Sequence, residues 1–542
     1  HVSWRRMDRA SRFAVSAAKQ AIDDAGIVPA EFGHRCAVVI GAGLSGLSAG
    51  AFLARAGKKV LLLEHHAIPG GYAHSFERGK FWFEVSLHAV CGLAPGGDLR
   101  QALSELGVYD RLQFDHIDPF YVARYPEHEV TVAADFSSYR TELAGKFPAE
   151  KEQIDNLFRD IERFDDDVRR FKEGMRQGRK FSQEEMAAEF PHMAGAFPQT
   201  WAAYLESRIQ DRKLRGILSI LWGYLGLPSS QVSAALFLFL ITGYNMGGAY
   251  YPAGGSMAVS RAIEAEIHRC GQEILYNQTA SKIHLRDGKV AGVTTQQGLT
   301  VECDLVVSSM NVPDTILQLI GPEHFDPAYV ERIEQRKLSV SSFILFLGID
   351  RELLEEDWPH HEYFLCETYD VEEAYEYVRE GRFDKTDLAI TYYSAPEGNE
   401  RTPENYTSLA IMTLASADYA DGWGTGGEYA GYRRNRRYRE IKEEVGEILL
   451  TRVEKLIPGL HQAIVHKNTA TPITNFRYTL NPGGSIYGFE QDVRNFTDRL
   501  QPTTPVANLF LSGMWIAGGG IGSAICSGKN VGDMAVGYLE GV

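Results

Sequence analysis

The sequence predicts an α/β protein: one parallel-sheet domain built from segments far apart in the chain, and an interleaved α+β domain made of a mixed sheet with a helical cap. Three observations carry this prediction. From residue 36 an apolar run, a glycine turn, an Ala-rich helical pattern and a second apolar run follow one another up to Glu64, the order of a βαβ unit. A strand pattern, a Gly cluster and a small-residue helix return near the C-terminus, from residue 509. Between them, residues 210–250 are rich in Leu, Phe, Trp and Tyr, and 340–349 and 409–414 read as buried strands.

The 542 residues exceed the roughly 150 that serve as a prior for one domain, so two or three folded units are expected. Lys plus Arg is 55 against 71 for Asp plus Glu, and the net charge of −16 argues against a nucleic-acid partner. Cys36, Cys91, Cys270, Cys303, Cys366 and Cys526 show neither C-x-x-C pairs nor nearby His clusters, so no disulfide framework and no metal site is expected. The longest apolar run, 232–241, is shorter than the ~18 residues of a spanning helix. A cytoplasmic protein is expected, with peripheral membrane contact left open.

In chain order, Phe13, Ala17, Ala18, Ala21, Ile22 and Ala25 recur at helical spacing before Gly26 and Pro29, predicting an amphipathic helical extension over 1–34. Residues 5–27 (RRMDRASRFAVSAAKQAIDDAGI) resemble a segment of the β-ketoacyl synthases but carry none of that family's catalytic Cys or His. An inert appended helix, or a remnant of gene fusion in a polyketide or fatty-acid cluster, is expected, with an acyl carrier protein or a ketosynthase as partner the alternative.

The βαβ unit carries G-A-G-L-S-G. Gly41 permits the tight turn, Gly43 lets backbone approach a pyrophosphate, and Gly46 lets the helix pack on the strand; Glu64, 21 positions after Gly43, would bond ribose hydroxyls. This predicts a dinucleotide site of Rossmann type, without the Arg that a 2′-phosphate would want. Gly70 and Gly71 follow the acid. At the far end, 512–523 (SGMWIAGGGIGS) leads into a helix start whose N–H groups would face the negative charge of a reduced flavin. An NAD site needs no such returning segment, so FAD is expected.

In the cap region, Ile154, Leu157, Ile161, Phe164, Val168 and Phe171 step by three and four, a narrow seam expected to pack on its own domain. The run 232–241 is expected to be core, with a tunnel wall as the alternative.

The stretches 36–76, 250–283, 471–490 and the C-terminal Gly cluster resemble, in order, the phytoene desaturase-like flavoproteins, and among these the carotenoid isomerase and retinol saturase branch. The resemblance covers about 35–542. It implies a noncovalent FAD, an FAD domain from 35–115, 245–310 and 500–542, and a substrate domain with a long apolar tunnel from 116–244 and 311–499. It places Gly41, Gly43, Leu44, Ser45, Gly46, Glu64, Gly70, Gly71, His74 and Ser75 at the ADP and pyrophosphate end. Gly513, Met514, Gly520, Ile521, Gly522 and Ser523 fall at the flavin. Where the family often has Asp and then Gly, this chain has Glu84 and Ser86, followed by His88. Alternation along a strand puts Glu84 and His88 on one face, as a candidate catalytic pair beside the flavin. Tyr251, Arg477, Tyr478 and Tyr487 are candidates for substrate contact; His65, His66 and His74 cluster without the acidic partner a metal would want.

The expected activity is FAD-dependent desaturation or saturation of carbon–carbon double bonds in a polyene, carotenoid-like or polyunsaturated acyl or polyketide chain. Cis–trans isomerisation with no net redox is the first alternative. Amine oxidation on the same FAD domain is the second.

Overall fold

Five short runs of Val, Leu, Ile and Ala, buried on both faces, form a fully parallel sheet in a computed structural model that describes residues 36–353, 361–393, 402–403 and 405–541. The helix expected over 1–34 lies outside the described residues. The strand order is Leu509–Leu511, Leu305–Ser308, Cys36–Ile40, Lys59–Leu63, Glu273–Leu275, with Ala37 opposite both Leu305 and Val60. One sheet thus draws strands from three distant parts of the chain. The crossover helix Leu44–Arg55 packs against the final helix Ile521–Gly541 through small residues: a Cβ on Gly528 would lie 2.2 Å from the Ser45 carbonyl oxygen.

The second layer is a seven-stranded mixed sheet, ordered Ile464–Ala470, Ser341–Asp350, Tyr406–Ala415, Leu388–Tyr392, Glu362–Leu365, Tyr121–Arg124, Glu129–Val132. Only the pairing of Glu362–Leu365 with Tyr121–Arg124 is parallel. The two apolar runs read as buried strands are its long central pair, with Leu345 opposite Ile411.

Lys151–Arg176 is a single helix whose seam, Ile154, Leu157, Ile161, Phe164 and Val168, is buried among helices of its own cap. Asp167, also buried, accepts from the backbone N–H of His192 (2.8 Å) and Met193 (3.2 Å) and fixes the start of the cap helix Pro191–Ala196. The run 232–241 forms the helix Ala234–Ile241. It serves both expected roles, since Phe237 and Leu238 are buried in core while Leu236, Phe239 and Leu240 line a cavity. Among the described residues no helix is long and apolar enough to cross a membrane.

Candidate active site

One cavity of about 540 Å³ is lined by both layers, within the ~300–1,000 Å³ usual for ligand sites. At one end, the turn after Cys36–Ile40 supplies backbone. A Cβ on Gly46 would sit 1.9 Å from the Gly41 carbonyl oxygen, so no other residue lets the helix start this close to the turn. Gly43 differs: a Cβ there would meet nothing within 4 Å, because it faces the open cavity. That space beside a helix start, with Gly70 bridged to Gly43, is the cradle a pyrophosphate fits.

Glu64 closes this end. Its Oε2 accepts from Ala42 N–H and its Oε1 from His66 N–H, both at 2.6 Å, so the carboxylate braces the glycine turn. Burial raises its pKa and the two backbone bonds oppose the rise. Each oxygen keeps a lone pair for a ribose hydroxyl. The C-terminal segment forms the adjoining wall: Gly513 and Met514 face the cavity at the start of Met514–Ala517, Gly520, Ile521 and Ser523 do so at the start of Ile521–Gly541, and Gly513 N–H is held by Ser527 Oγ at 3.0 Å. The first N–H groups of a helix have no partner within it, and here they are offered to the cavity. The glycine cradle, the braced acid and this helix start fit a flavin dinucleotide laid along the wall. Leu44, Ser45, Gly70 and Gly71 line the same end, whereas Gly46, His74, Ser75 and Gly522 do not. His74 donates from Nδ1 to Gly71 O (2.6 Å), and Ser75 Oγ donates to Glu84 (3.2 Å), so both support the turn from behind.

The expected Glu84–His88 pair does not form. The strand Phe81–Glu84 ends at Glu84, so the alternation that would align the two side chains stops there. Glu84 is fully buried and accepts from Ser256 N–H (2.9 Å), Ser256 Oγ (2.6 Å) and Val85 N–H (3.1 Å), holding the start of Ser256–Arg269. Burial lifts its pKa to about 7 despite these bonds. Ser86 turns its hydroxyl to Tyr72 O at 3.0 Å.

His88 does face the cavity. Its Nδ1 lies 3.0 Å from Glu362 Oε2 and 2.8 Å from Thr391 Oγ1, and Thr391 Oγ1 also donates to Glu362 Oε2 at 2.8 Å. Burial opposes charge on His88, but the Glu362 carboxylate and its hydrogen bond outweigh it, and the pKa is raised.

The substrate candidates divide. Tyr478 and Tyr487 line the cavity, and Tyr487 Oη donates to Gly223 O at 2.7 Å. Tyr251 is buried behind the wall with its hydroxyl 3.4 Å from Glu84, and the Arg477 guanidinium lies over the Tyr478 ring; neither lines the cavity. His65 bonds Thr279 Oγ1 (2.8 Å), and burial depresses His66 to about 4. Among the described residues no cluster of His, Cys, Asp and Glu could hold a metal.

Sequence reasoning missed Glu362 and Thr391, which reach His88 from 274 and 303 positions away. It also missed the apolar far end, where Trp222, Leu236, Phe239, Leu240, Phe364 and Leu414 converge. Asp387 interrupts that wall, its Oδ2 accepting from Trp222 Nε1 at 3.1 Å and its pKa lifted by burial to about 7.

Residues 44–533 match the family described as flavin containing amine oxidoreductase, and 2–75 match the N-terminal domain of β-ketoacyl synthase. An all-trans-retinol 13,14-reductase of Danio rerio is 26% identical over 502 residues, covering 88% of this chain and 82% of its own. A chloroplastic prolycopene isomerase of an Oncidium hybrid cultivar is 27% identical over 465 residues, covering 83% and 75%. Two solved structures, an oxidoreductase from Methanosarcina mazei and a putrescine oxidase from a redesign of cofactor binding, each superpose with a TM-score of 0.62. They are 17% and 15% identical and cover 92% and 94% of this chain and 99% of their own.

Proposed function

The chain belongs to the flavin containing amine oxidoreductase family and is an FAD enzyme, and from that premise we propose that it saturates or desaturates carbon–carbon double bonds of a long apolar chain. The observation that carries this reading is the continuity of one cavity from the dinucleotide cradle to the apolar far end. Burial of apolar chain there is favourable by roughly 25 cal/mol per Å² removed from water, enough to hold a polyene without a charged anchor. The relatives described as a retinol reductase and a prolycopene isomerase support the same substrate class.

Bound FAD supplies two-electron chemistry at carbon. The chain's residues do the rest. Gly43, Gly70 and Gly71 give backbone room for the pyrophosphate, and Glu64 holds the ribose end. Leu236, Phe239, Leu240 and Phe364 align the substrate and exclude water. Polyunsaturated acyl or polyketide chains fit this wall as well as carotenoid-like ones, and the synthase-like N-terminus favours them. A cytoplasmic setting is part of this reading, supported by six cysteines that are all free.

Isomerisation is the second reading, favoured by the prolycopene isomerase relative. Chromatography with mass spectrometry separates the two, using polyenoic acids and acyl thioesters incubated anaerobically with oxidised and with photoreduced enzyme. A product changed by two hydrogens, with the matching change in the flavin spectrum, is the expected result. A new peak of unchanged mass, formed only with reduced flavin, makes the enzyme an isomerase. Peroxide release from soluble amines with no polyene turnover overturns both.

A further inference from the structure

The buried carboxylate of Glu362 has no Lys or Arg partner among the described residues; its one ion-pair partner is His88. Glu362 is 1% exposed and its Oε1 has no hydrogen-bond partner. A buried carboxylate is strongly unfavourable unless its oxygens are met by donors. His88 Nδ1 and Thr391 Oγ1 both meet Glu362 Oε2, so the carboxylate fixes the orientation of the ring. Among the described residues only the Nδ1 of His88 is engaged, by Glu362 and Thr391. The ring lines the cavity, and its Nε2 is the nitrogen free to meet a ligand.

The surroundings hold the ring in that pose. His361, whose pKa burial lowers, bonds its Nε2 to the His88 carbonyl, and Tyr224 packs 6.0 Å from the ring. Glu84, on the strand just before, adds a weaker pull toward the protonated form. Tyr487 ties this region to the flavin wall, since its hydroxyl bonds Gly223 and its ring lies 2.6 Å from where a Gly519 Cβ would be.

We propose that His88, oriented by Glu362 and Thr391, is the proton donor and acceptor of the double-bond reaction, with Nε2 serving the substrate carbon. This rests on the function proposed above. In saturation the π bond breaks and two C–H bonds form. One hydrogen arrives with an electron pair from FAD reduced beforehand by light or dithionite, which is thereby oxidised. The other arrives as a proton from His88 Nε2–H, leaving the ring neutral to regain a proton from solvent. Desaturation is the reverse. Glu362 and Thr391 are positioning residues, since they act through the ring.

The test uses the holoenzyme in two measurements. The first follows single-turnover reoxidation of the photoreduced enzyme by a polyenoyl thioester across pH. General acid–base catalysis is worth ~10²–10⁴-fold, so His88→Gln is expected to slow the step by at least about 100-fold with flavin content unchanged. Glu362→Gln is expected to move the pH profile to lower pH. The second is an NMR titration of histidine-labelled oxidised enzyme, in which the His88 midpoint falls on Glu362→Gln. A His88→Gln rate within about threefold of wild type, or a midpoint indifferent to Glu362→Gln, overturns the proposal. If the wild type converts no polyene, the functional reading fails instead; if it converts polyenes and His88→Gln does so equally well, only this inference fails.

Discussion

The two ends of the cavity are built from different material. At the cofactor end the wall is backbone: a glycine turn, two helix starts and one carboxylate that ties N–H groups together. At the substrate end the wall is side chain, contributed by the cap helix Ala234–Ile241 and by strands of the mixed sheet. Backbone geometry tolerates almost no change and is shared by every ligand with a pyrophosphate. Side-chain walls can be re-cut without disturbing the fold. The cofactor end therefore fixes what kind of chemistry is possible, and the substrate end decides on which molecule.

The sharpest way to break this comparison is inside the glycine turn itself. Gly46→Val places a side chain on the Gly41 carbonyl, where nothing can yield, and is expected to cost more than about 3 kcal/mol and abolish soluble, flavin-bearing protein. Gly43→Ala, three positions away, meets nothing, and its φ of −66° suits any residue. It is expected to leave the melting temperature near wild type while flavin is lost on gel filtration. If both variants behave alike, the distinction between a packing glycine and a ligand-facing one is wrong.

A second test concerns Glu84, which the linear pattern offered to the chemistry and the structure gives to the start of Ser256–Arg269. Its pKa rises on folding from the ordinary 4.5 to about 7. The folded state then holds the proton more tightly, so the stability this group adds is full below about pH 4.5 and is lost as pH rises through about 7. The linked change is at most about 3 kcal/mol. Melting temperatures of wild type and Glu84→Gln, taken from pH 4.5 to 8, are expected to diverge in slope, with the Gln variant flatter. Parallel curves would return Glu84 to consideration as a charged group at the site.

These contrasts also explain what was legible in the sequence. The cofactor end was readable because its parts are local or carry a fixed spacing: Gly41, Gly43 and Gly46 within six residues, Glu64 one crossover later, and a Gly-rich return at 513–523. The parallel strands announced themselves as apolar runs for the same reason. The substrate end was not readable, because Glu362 and Thr391 meet His88 only once the mixed sheet has paired its strands. Nothing in a linear pattern marks a Glu in a buried strand as the partner of a His 274 positions earlier. Tyr251 misled for a related reason. Aromatic content and a neighbouring proline do not say on which side of a wall a ring will lie.

Glu64 tests whether the cofactor end works through backbone alone. Glu64→Ala removes the acceptor of Ala42 and His66 N–H along with the bonds to the ribose, and the expected loss of FAD affinity is on the order of 1–3 kcal/mol, about five- to 150-fold. A fall in melting temperature should accompany it, because two backbone donors are left unmet. Equilibrium titration of flavin-free protein with FAD, followed by quenching of flavin fluorescence, measures the first effect. An unchanged affinity would mean the glycine turn suffices by itself.

The smallest effect is expected from the side-chain wall, and it should be selective. Leu240 lies on the cavity face of Ala234–Ile241, beside Leu236 and Phe239, and is partly rather than fully buried. Leu240→Trp adds an indole into the cavity instead of into packed core, so its stability cost should stay below about 1.5 kcal/mol. FAD affinity should be unchanged, since no residue of the cradle is touched. A chain long enough to reach this helix should lose about 1–2 kcal/mol of binding, seen as a roughly tenfold rise in KM, while a truncated chain of the same head structure should bind as before. A uniform rise for long and short chains would place the substrate elsewhere in the cavity. A loss of flavin would show that the two ends are mechanically coupled, and the division between a backbone wall and a side-chain wall would have to be given up.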